Sequence, residues 1–239
     1  MPNYVIYRIS DVGYKKIKPS YINNENCLKN AVNTFKNFIF YIIADNICEK
    51  TKEMILKYIL KDNLIEVSVG HGAGTFNIGL DLALKLNLNN EDIIYFLEND
   101  YLHRENAENI LIEGFTIPNV SFITLYDHPD KYNYFFENSP NCFVKNGGEI
   151  TQVIITKNIH WKHTNSTTMT FATRYKTLLE THEIMRQFTK GSHPNDFPMF
   201  IFLLRNNKLL YSPLPGYSTH GETEYLCPLV DWNKISQLY

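Results

Sequence analysis

The sequence predicts an α/β fold built on a mixed sheet, parallel in its N-terminal half and carrying helices on both faces. Five short apolar runs, rich in β-branched residues and without polar alternation, suit strands buried on both sides. Helical stretches lie between them, and that order of elements forms a parallel sheet through right-handed crossovers. With 239 residues, 44% of them hydrophobic, the chain can bury a large core.

Taken in order, the predicted strands cover residues 4–9, 38–44, 65–69, 93–97 and 122–125. The predicted helices cover 27–35, 51–60 and 74–86, the last with Phe76, Leu80, Ala83 and Leu84 on one side. Beyond about Pro129 the pattern breaks. Asn146-Gly147-Gly148 reads as a hairpin turn joining 142–144 to 153–155. Further helices are predicted over 173–188 and after Asp196, and 213–219 reads as a turn-rich loop. No repeat, low-complexity tract or linker divides residues 1–239, so a single domain with one shared core is expected.

A formal net charge of -2 provides no basic field, which argues against nucleic acid and requires local neutralisation of any bound phosphate. No apolar run approaches the roughly 20 residues that span a bilayer. Met1-Pro2-Asn3-Tyr4 lacks the features of a secretory signal, so a cytoplasmic location is expected. Cys27, Cys48, Cys142 and Cys227 form no CxxC pair and read as free thiols.

Ligands of open α/β sheets bind outside the carboxyl ends of the strands. Each predicted strand delivers polar residues to that edge: Ser10-Asp11, Asp45-Asn46, Gly70-His71-Gly72, Glu98-Asn99-Asp100 and Asp127-His128. Five such clusters together favour a site. Glu98 and Asp100, two apart on an extended segment, point the same way. Paired carboxylates suit Mg²⁺ or Mn²⁺, which bridge nucleotide phosphates. The competing reading is an acidic strand end that caps the next helix.

From Gly72 the chain reads Gly-Ala-Gly-Thr-Phe-Asn-Ile-Gly-Leu-Asp-Leu-Ala, and from Asp92 it reads Asp-Ile-Ile-Tyr-Phe-Leu-Glu-Asn-Asp-Tyr. This resembles the GT-A glycosyltransferases, especially the family 2-like branch, with Asn77-Ile78-Gly79 at the family's Asn-x-Gly helix start and Glu98-Asn99-Asp100 at its DxD motif. Tyr7-Arg8-Ile9-Ser10-Asp11 is similar to the start of a small set of viral and bacterial GT-A domains. The resemblance implies a Rossmann-like nucleotide-sugar-binding half, 1–128, and an acceptor-binding, catalytic half, 129–239. It implies a hexose or deoxyhexose moved from a UDP- or dTDP-linked donor to a glycan hydroxyl, in the host cytoplasm if the source is viral.

By the same resemblance, Arg8, Ser10, Asp11, His71, Asn77, Glu98 and Asn99 face the donor. Asp45 hydrogen-bonds the base, a role open to a carboxylate, which can equally cap the helix after it. Asp100 is the better metal ligand, with Glu98 on metal or ribose and His220 of the C-terminal Ser218-Thr219-His220-Gly221-Glu222 run completing an Mn²⁺ or Mg²⁺ site. An inverting enzyme needs a general base. Asp196, ahead of Pro198 at a helix start, fits that role and also fits a helix cap, with Asp127 and Glu222 in reserve. Trp161 and Tyr217 are candidate acceptor platforms, and His160 and His163 read as surface or acceptor-groove residues.

Two rivals remain. A sugar-1-phosphate nucleotidyltransferase shares the sheet and the carboxylates, and residues 13–19, Gly-Tyr-Lys-Lys-Ile-Lys-Pro, invite that comparison without its glycine density or arginine. A catalytically silent carbohydrate-binding protein on the same shell is the other.

Overall fold

The computed structural model describes residues 2–132 and 141–238. In chain order its elements are β1 (Asn3–Ser10), α1 (Asn24–Thr34), β2 (Phe38–Asp45), α2 (Glu49–Ile55), β3 (Leu64–Val67), α3 (Gly72–Lys85), β4 (Ile93–Glu98), β5 (Tyr101–His103), α4 (Ala107–Gly114) and β6 (Val120–Ile123). There follow β7 (Val144–Lys145), β8 (Gly148–Glu149), β9 (Val153–Ile155), β10 (His160–Thr164), β11 (Phe171–Arg174), α5 (Tyr175–Phe188), α6 (Asp196–Arg205), β12 (Leu209–Leu214), β13 (Ser218–His220) and α7 (Trp232–Ser236).

Nine strands make one sheet in the order β3-β2-β1-β4-β11-β6-β12-β10-β9. The β3-β2-β1-β4 block is parallel, as the unbroken apolar runs predict; β11 then enters antiparallel between β4 and β6. Strand order reverses at β1, because β2 lies on one side of it and β4 on the other. Ligand crevices open at such a switch point.

Alternate residues of β1 feed two cores. Val5, Tyr7 and Ile9 pack with Leu28 and Ala31 of α1, Leu111 of α4 and Trp161. Ile6 packs on the opposite face with Phe76, Leu80 and Ala83 of α3, Leu178 of α5 and Leu203 of α6. The period-2 display of a strand meets helical stripes on both sides. Strands from both halves of the chain share this sheet. Among the described residues no helix is long and apolar enough to cross a membrane.

Several boundaries differ from expectation. The helix predicted over 51–60 stops at Ile55, where Lys57 and Tyr58 N–H donate to Met54 and Ile55, three residues back, and so tighten the last turn. Thr173, expected in a helix, lies in β11, where the gap between β4 and β6 overrides local propensity. The Asn146-Gly147 turn forms with φ of 51° and 92°, but it joins β7 to β8; Val153–Ile155 instead edges the sheet against β10. The expected loop over 213–219 contains the end of β12, a cis Leu214-Pro215 bond and the start of β13.

Candidate active site

Arg8 and Glu98 face each other in register across β1 and β4 and form the floor of the switch-point crevice. The Arg8 guanidinium, buried, pairs with Glu98 Oε1 at 3.3 Å and donates to the Gly72 and Met169 carbonyls, each at 3.2 Å. Thr170 Oγ1 accepts from the Glu98 N–H at 3.2 Å and lies 3.4 Å from its carboxylate. Glu98 is thereby held by a charge and a hydroxyl while part of its side chain stays open to solvent.

Asp100 lies on the turn between β4 and β5 and is buried. Its Oδ2 meets the Lys18 ammonium at 2.9 Å, His220 Nε2 at 3.3 Å and the Lys16 ammonium at 3.5 Å. Lys16 also reaches His220 Nε2 at 3.0 Å and Glu222 at 3.8 Å. Burial alone would raise the Asp100 carboxyl; His220, then Lys16 and Lys18, outweigh it and hold it well below the usual carboxylate range. His220 arrives by strand pairing. In the β13 and β5 register it sits opposite Tyr101, next to Asp100. Gly221 follows, and a Cβ there would lie 2.7 Å from the Asp100 carbonyl oxygen and 2.3 Å from Ile22 Cγ2.

Asp196 begins α6; the cap position belongs to Asn195. The loop before it leans on the start of α3, where the Ala73 N–H donates to the Ser192 carbonyl and Pro194 approaches Gly72. Burial, opposed by the Phe197 N–H bond at 2.7 Å and assisted by repulsion from Glu98 and Asp130, pushes the Asp196 carboxyl up to about 6.

Other expected donor residues hydrogen-bond to the scaffold. The Asp45 carboxylate accepts from Val69 N–H at 2.6 Å and Gly70 N–H at 2.9 Å, bracing a turn in which Gly70 takes φ +80°. It is therefore committed to backbone, and it caps no helix. Asp11 ties down the start of α2, accepting from Cys48 N–H at 2.7 Å and the Thr51 hydroxyl at 2.9 Å. Ser10 Oγ accepts from the Val12 N–H, and Asn99 donates to Asn24. The Asn77 amide bridges α3 to Thr189 at the end of α5. His71 caps α3 through Nδ1, which accepts from Gly74 N–H at 3.0 Å and leaves Nε2 as the donor of the neutral ring.

Of the two expected acceptor platforms, Trp161 is packed away and Tyr217 is half-buried. Trp161 is fully buried and donates to Thr156 Oγ1 at 2.8 Å. The Tyr217 ring lies against the Arg104 guanidinium at 4.3 Å. His160 is exposed, whereas His163 lines a recess of about 320 Å³ with Phe143, Glu149, Ile150, Ile201 and Leu204.

The sequence reading left Lys16 and Lys18 without a site role, although their two-residue spacing in the loop after β1 was visible. It also missed a buried network beside the crevice: Lys162 pairs with Asp127 at 2.7 Å and Glu149 at 3.6 Å, and Lys131 donates to Asn165 and Ser166. Asp127, a reserve base, is held inside it.

No protein-family model and no curated sequence matches the chain. Solved structures do resemble it. GalNAc-T7, crystallised with UDP, GalNAc and Mn²⁺, superposes with TM-score 0.57 at 12% identity over 92% of this chain and 43% of its own. A cytidylyltransferase from Leptospira borgpetersenii serovar Hardjo-bovis gives 0.50 at 14%, covering 99% of this chain and 85% of its own. Residues 1–349 of S. aureus TarS give 0.50 at 13%, covering 91% and 60%. The chain spans less than half the length of the first of these. At such identities the likeness establishes the fold, a GT-A-like Rossmann sheet common to glycosyltransferases and nucleotidyltransferases.

Proposed function

We propose that this chain is a glycosyltransferase that moves a hexose or deoxyhexose from a UDP- or dTDP-linked donor to a glycan hydroxyl, with inversion and with Asp196 as general base. The observation that carries the reading is the placement of Asp196 at the start of α6, where the preceding loop leans on the start of α3 at the switch-point crevice and burial lifts the carboxyl to about 6. A carboxylate of that basicity is ionised at neutral pH and accepts a hydroxyl proton more readily than an ordinary aspartate. The acceptor oxygen bonds to the anomeric carbon as its proton passes to Asp196. The bond from that carbon to the phosphate oxygen breaks, and its electron pair leaves with the nucleoside diphosphate.

Arg8 and Glu98 give the crevice its charged floor. Of the expected donor residues, Glu98 keeps part of its side chain open to solvent and His71 keeps Nε2 as a donor, while the buried Arg8 holds Glu98 in place. The remainder hold the loops that shape the crevice.

A divalent cation fits this arrangement poorly. Asp100 and His220 are the donors expected of a metal site, yet two ammonium groups approach the same carboxylate oxygen. Among the described residues no group of three His, Cys, Asp or Glu side chains could hold an ion. No step is therefore assigned to one.

The test is hydrolysis and transfer with a panel of UDP- and dTDP-sugars. Release of UDP or dTDP, stimulated by a glycan acceptor and lost in Asp196→Asn with donor binding retained, is the expected result. The lysine-bearing loop after β1 favours nucleotidyl transfer as the second reading. Pyrophosphate release from a nucleoside triphosphate and a sugar 1-phosphate, without donor cleavage, would replace the first reading with it. Tight glycan binding without turnover would replace both.

A further inference from the structure

The polypeptide between β1 and α1 crosses the mouth of the switch-point crevice and is fastened on both sides. On one side the Ile17 carbonyl accepts from the Thr223 N–H at 2.9 Å and from its hydroxyl at 3.0 Å. On the other the Tyr14 ring stacks on His193 at 4.6 Å, next to the loop that delivers Asp196. Between these anchors Lys16 and Lys18 turn inward onto Asp100, and each keeps nearly a third of its side chain exposed. The two ammonium groups therefore share one carboxylate oxygen and still face solvent at the switch point.

We infer that Lys16 and Lys18 form the diphosphate-binding site of this chain, with Asp100 as the residue that positions them, so that donor binding proceeds without a divalent cation. The inference rests on the proposed glycosyl transfer, since it concerns the diphosphate of that donor.

Three features carry it. A departing diphosphate needs positive charge near its oxygens, and the chain as a whole, at net charge -2, offers none except locally. The location expected of a metal already holds two cations, and a third would meet their repulsion. Each ammonium carries three donors; Lys18 directs one to Asp100 and keeps two for phosphate oxygens, while Lys16, which meets both Asp100 and His220, keeps one. Asp100 is shared between both lysines and His220, so it fixes their spacing without neutralising the pair. Glu222, 3.8 Å from Lys16, brings the formal sum of the two lysines and two carboxylates to zero, so the cluster offers phosphate aimed N–H donors rather than net charge.

Binding of inorganic pyrophosphate to the full chain, measured calorimetrically in excess EDTA and again with Mn²⁺, separates the lysine site from a metal site. Pyrophosphate carries the diphosphate without base or sugar, so it reports this subsite alone. Expected is binding in EDTA within about threefold of that in Mn²⁺, weakened roughly tenfold by Lys16→Gln and by Lys18→Gln, as the loss of one charge-assisted hydrogen bond implies. Lys16→Arg and Lys18→Arg keep the charge and should keep the binding, which distinguishes charge from loop integrity. Asp100→Asn, which loosens the placement of both ammonium groups without removing a phosphate contact, should weaken binding less than either Lys→Gln variant and by the same factor in EDTA and in Mn²⁺.

Binding only with Mn²⁺, abolished by Asp100→Asn and indifferent to the lysines, overturns the inference; so does absence of pyrophosphate binding in both conditions. The two readings also fail separately. Pyrophosphate bound in EDTA, with no UDP- or dTDP-sugar cleaved, would uphold the lysine site and remove the transferase. Donor cleavage that occurs only with Mn²⁺ would do the reverse.

Discussion

Replacing Asp196 by Asn should make the protein more stable at alkaline pH while it stops transfer. The carboxyl ordinarily titrates near 3.8 and is pushed up to about 6 here. The native state therefore holds its proton more tightly than the unfolded chain, and the stability this contributes is present below pH 4 and lost as pH rises through 6. The whole shift corresponds to roughly 3 kcal/mol, of which about 2 falls between pH 4.5 and pH 8. Asp196 is only half-buried, and solvent screening trims this to about 1–2 kcal/mol. For a chain of this length that is roughly 2–8 °C in Tm.

Thermal melts of wild type and Asp196→Asn at both pH values supply the test, read as variant minus wild type so that all other titrations cancel. That difference should grow more positive from pH 4.5 to pH 8. In parallel, wild-type kcat/KM should fall on an acidic limb near pH 6, and the variant should lose about 10²- to 10⁴-fold in transfer. A pH-independent difference in Tm, or unchanged transfer, would refute the reasoning and reduce Asp196 to a residue of the first helical turn.

Three further outcomes follow from the contacts. Asp45→Asn should cost about 1–3 kcal/mol in urea unfolding, because the amide loses the charge that strengthens these bonds and sets an NH₂ donor where Oδ2 accepts from the Gly70 N–H. Its preference between UDP and dTDP should not change; an altered preference at full stability would restore the base contact. Arg8→Met should cost about 1–3 kcal/mol by taking the donor from the Gly72 and Met169 carbonyls and the partner from a half-exposed Glu98, measured in the same way. Trp161→Ala should cost about 3–5 kcal/mol and leave the acceptor KM of the remaining folded protein unchanged; a raised KM at normal stability would return Trp161 to the acceptor site.

The parallel half of the fold was legible because its strands are buried on both faces and write unbroken apolar runs. The second half was harder to read. Phe171–Arg174 is four residues long and follows the polar stretch 164–168, so only the neighbouring strands reveal it as β11. The strand ends were legible as a polar edge, yet composition could not say which polar groups face a ligand. Asp45 and Asn77 look functional in sequence because short polar side chains at strand and helix ends are also what backbone needs. Only the observed partners, Val69 with Gly70 for one and Thr189 for the other, separate the roles. Trp161 shows the same limit: its indole was visible, whereas its burial follows from sheet order.

The pairing of His220 with Asp100 was expected by resemblance, whereas the lysine loop that joins them escaped a linear reading. Asp100 is followed at once by β5, three residues that pair with β13, and this short ladder sets His220 beside the carboxylate from 120 residues away. The loop from the start of the chain is tied to the same C-terminal segment through Ile17 and Thr223. Both chain ends thus converge on one turn, and each contact depends on the others. Removing the ladder would release His220, and the loop would then lose the anchor that aims Lys16. A device of this kind leaves no periodic signal, since its strands are too short for alternation and its loop has no regular structure. What the sequence does carry is Gly221, where a side chain would collide with the Asp100 carbonyl. The glycine beside the histidine is the mark of a backbone brought against Asp100, the carboxylate onto which Lys16 and Lys18 turn.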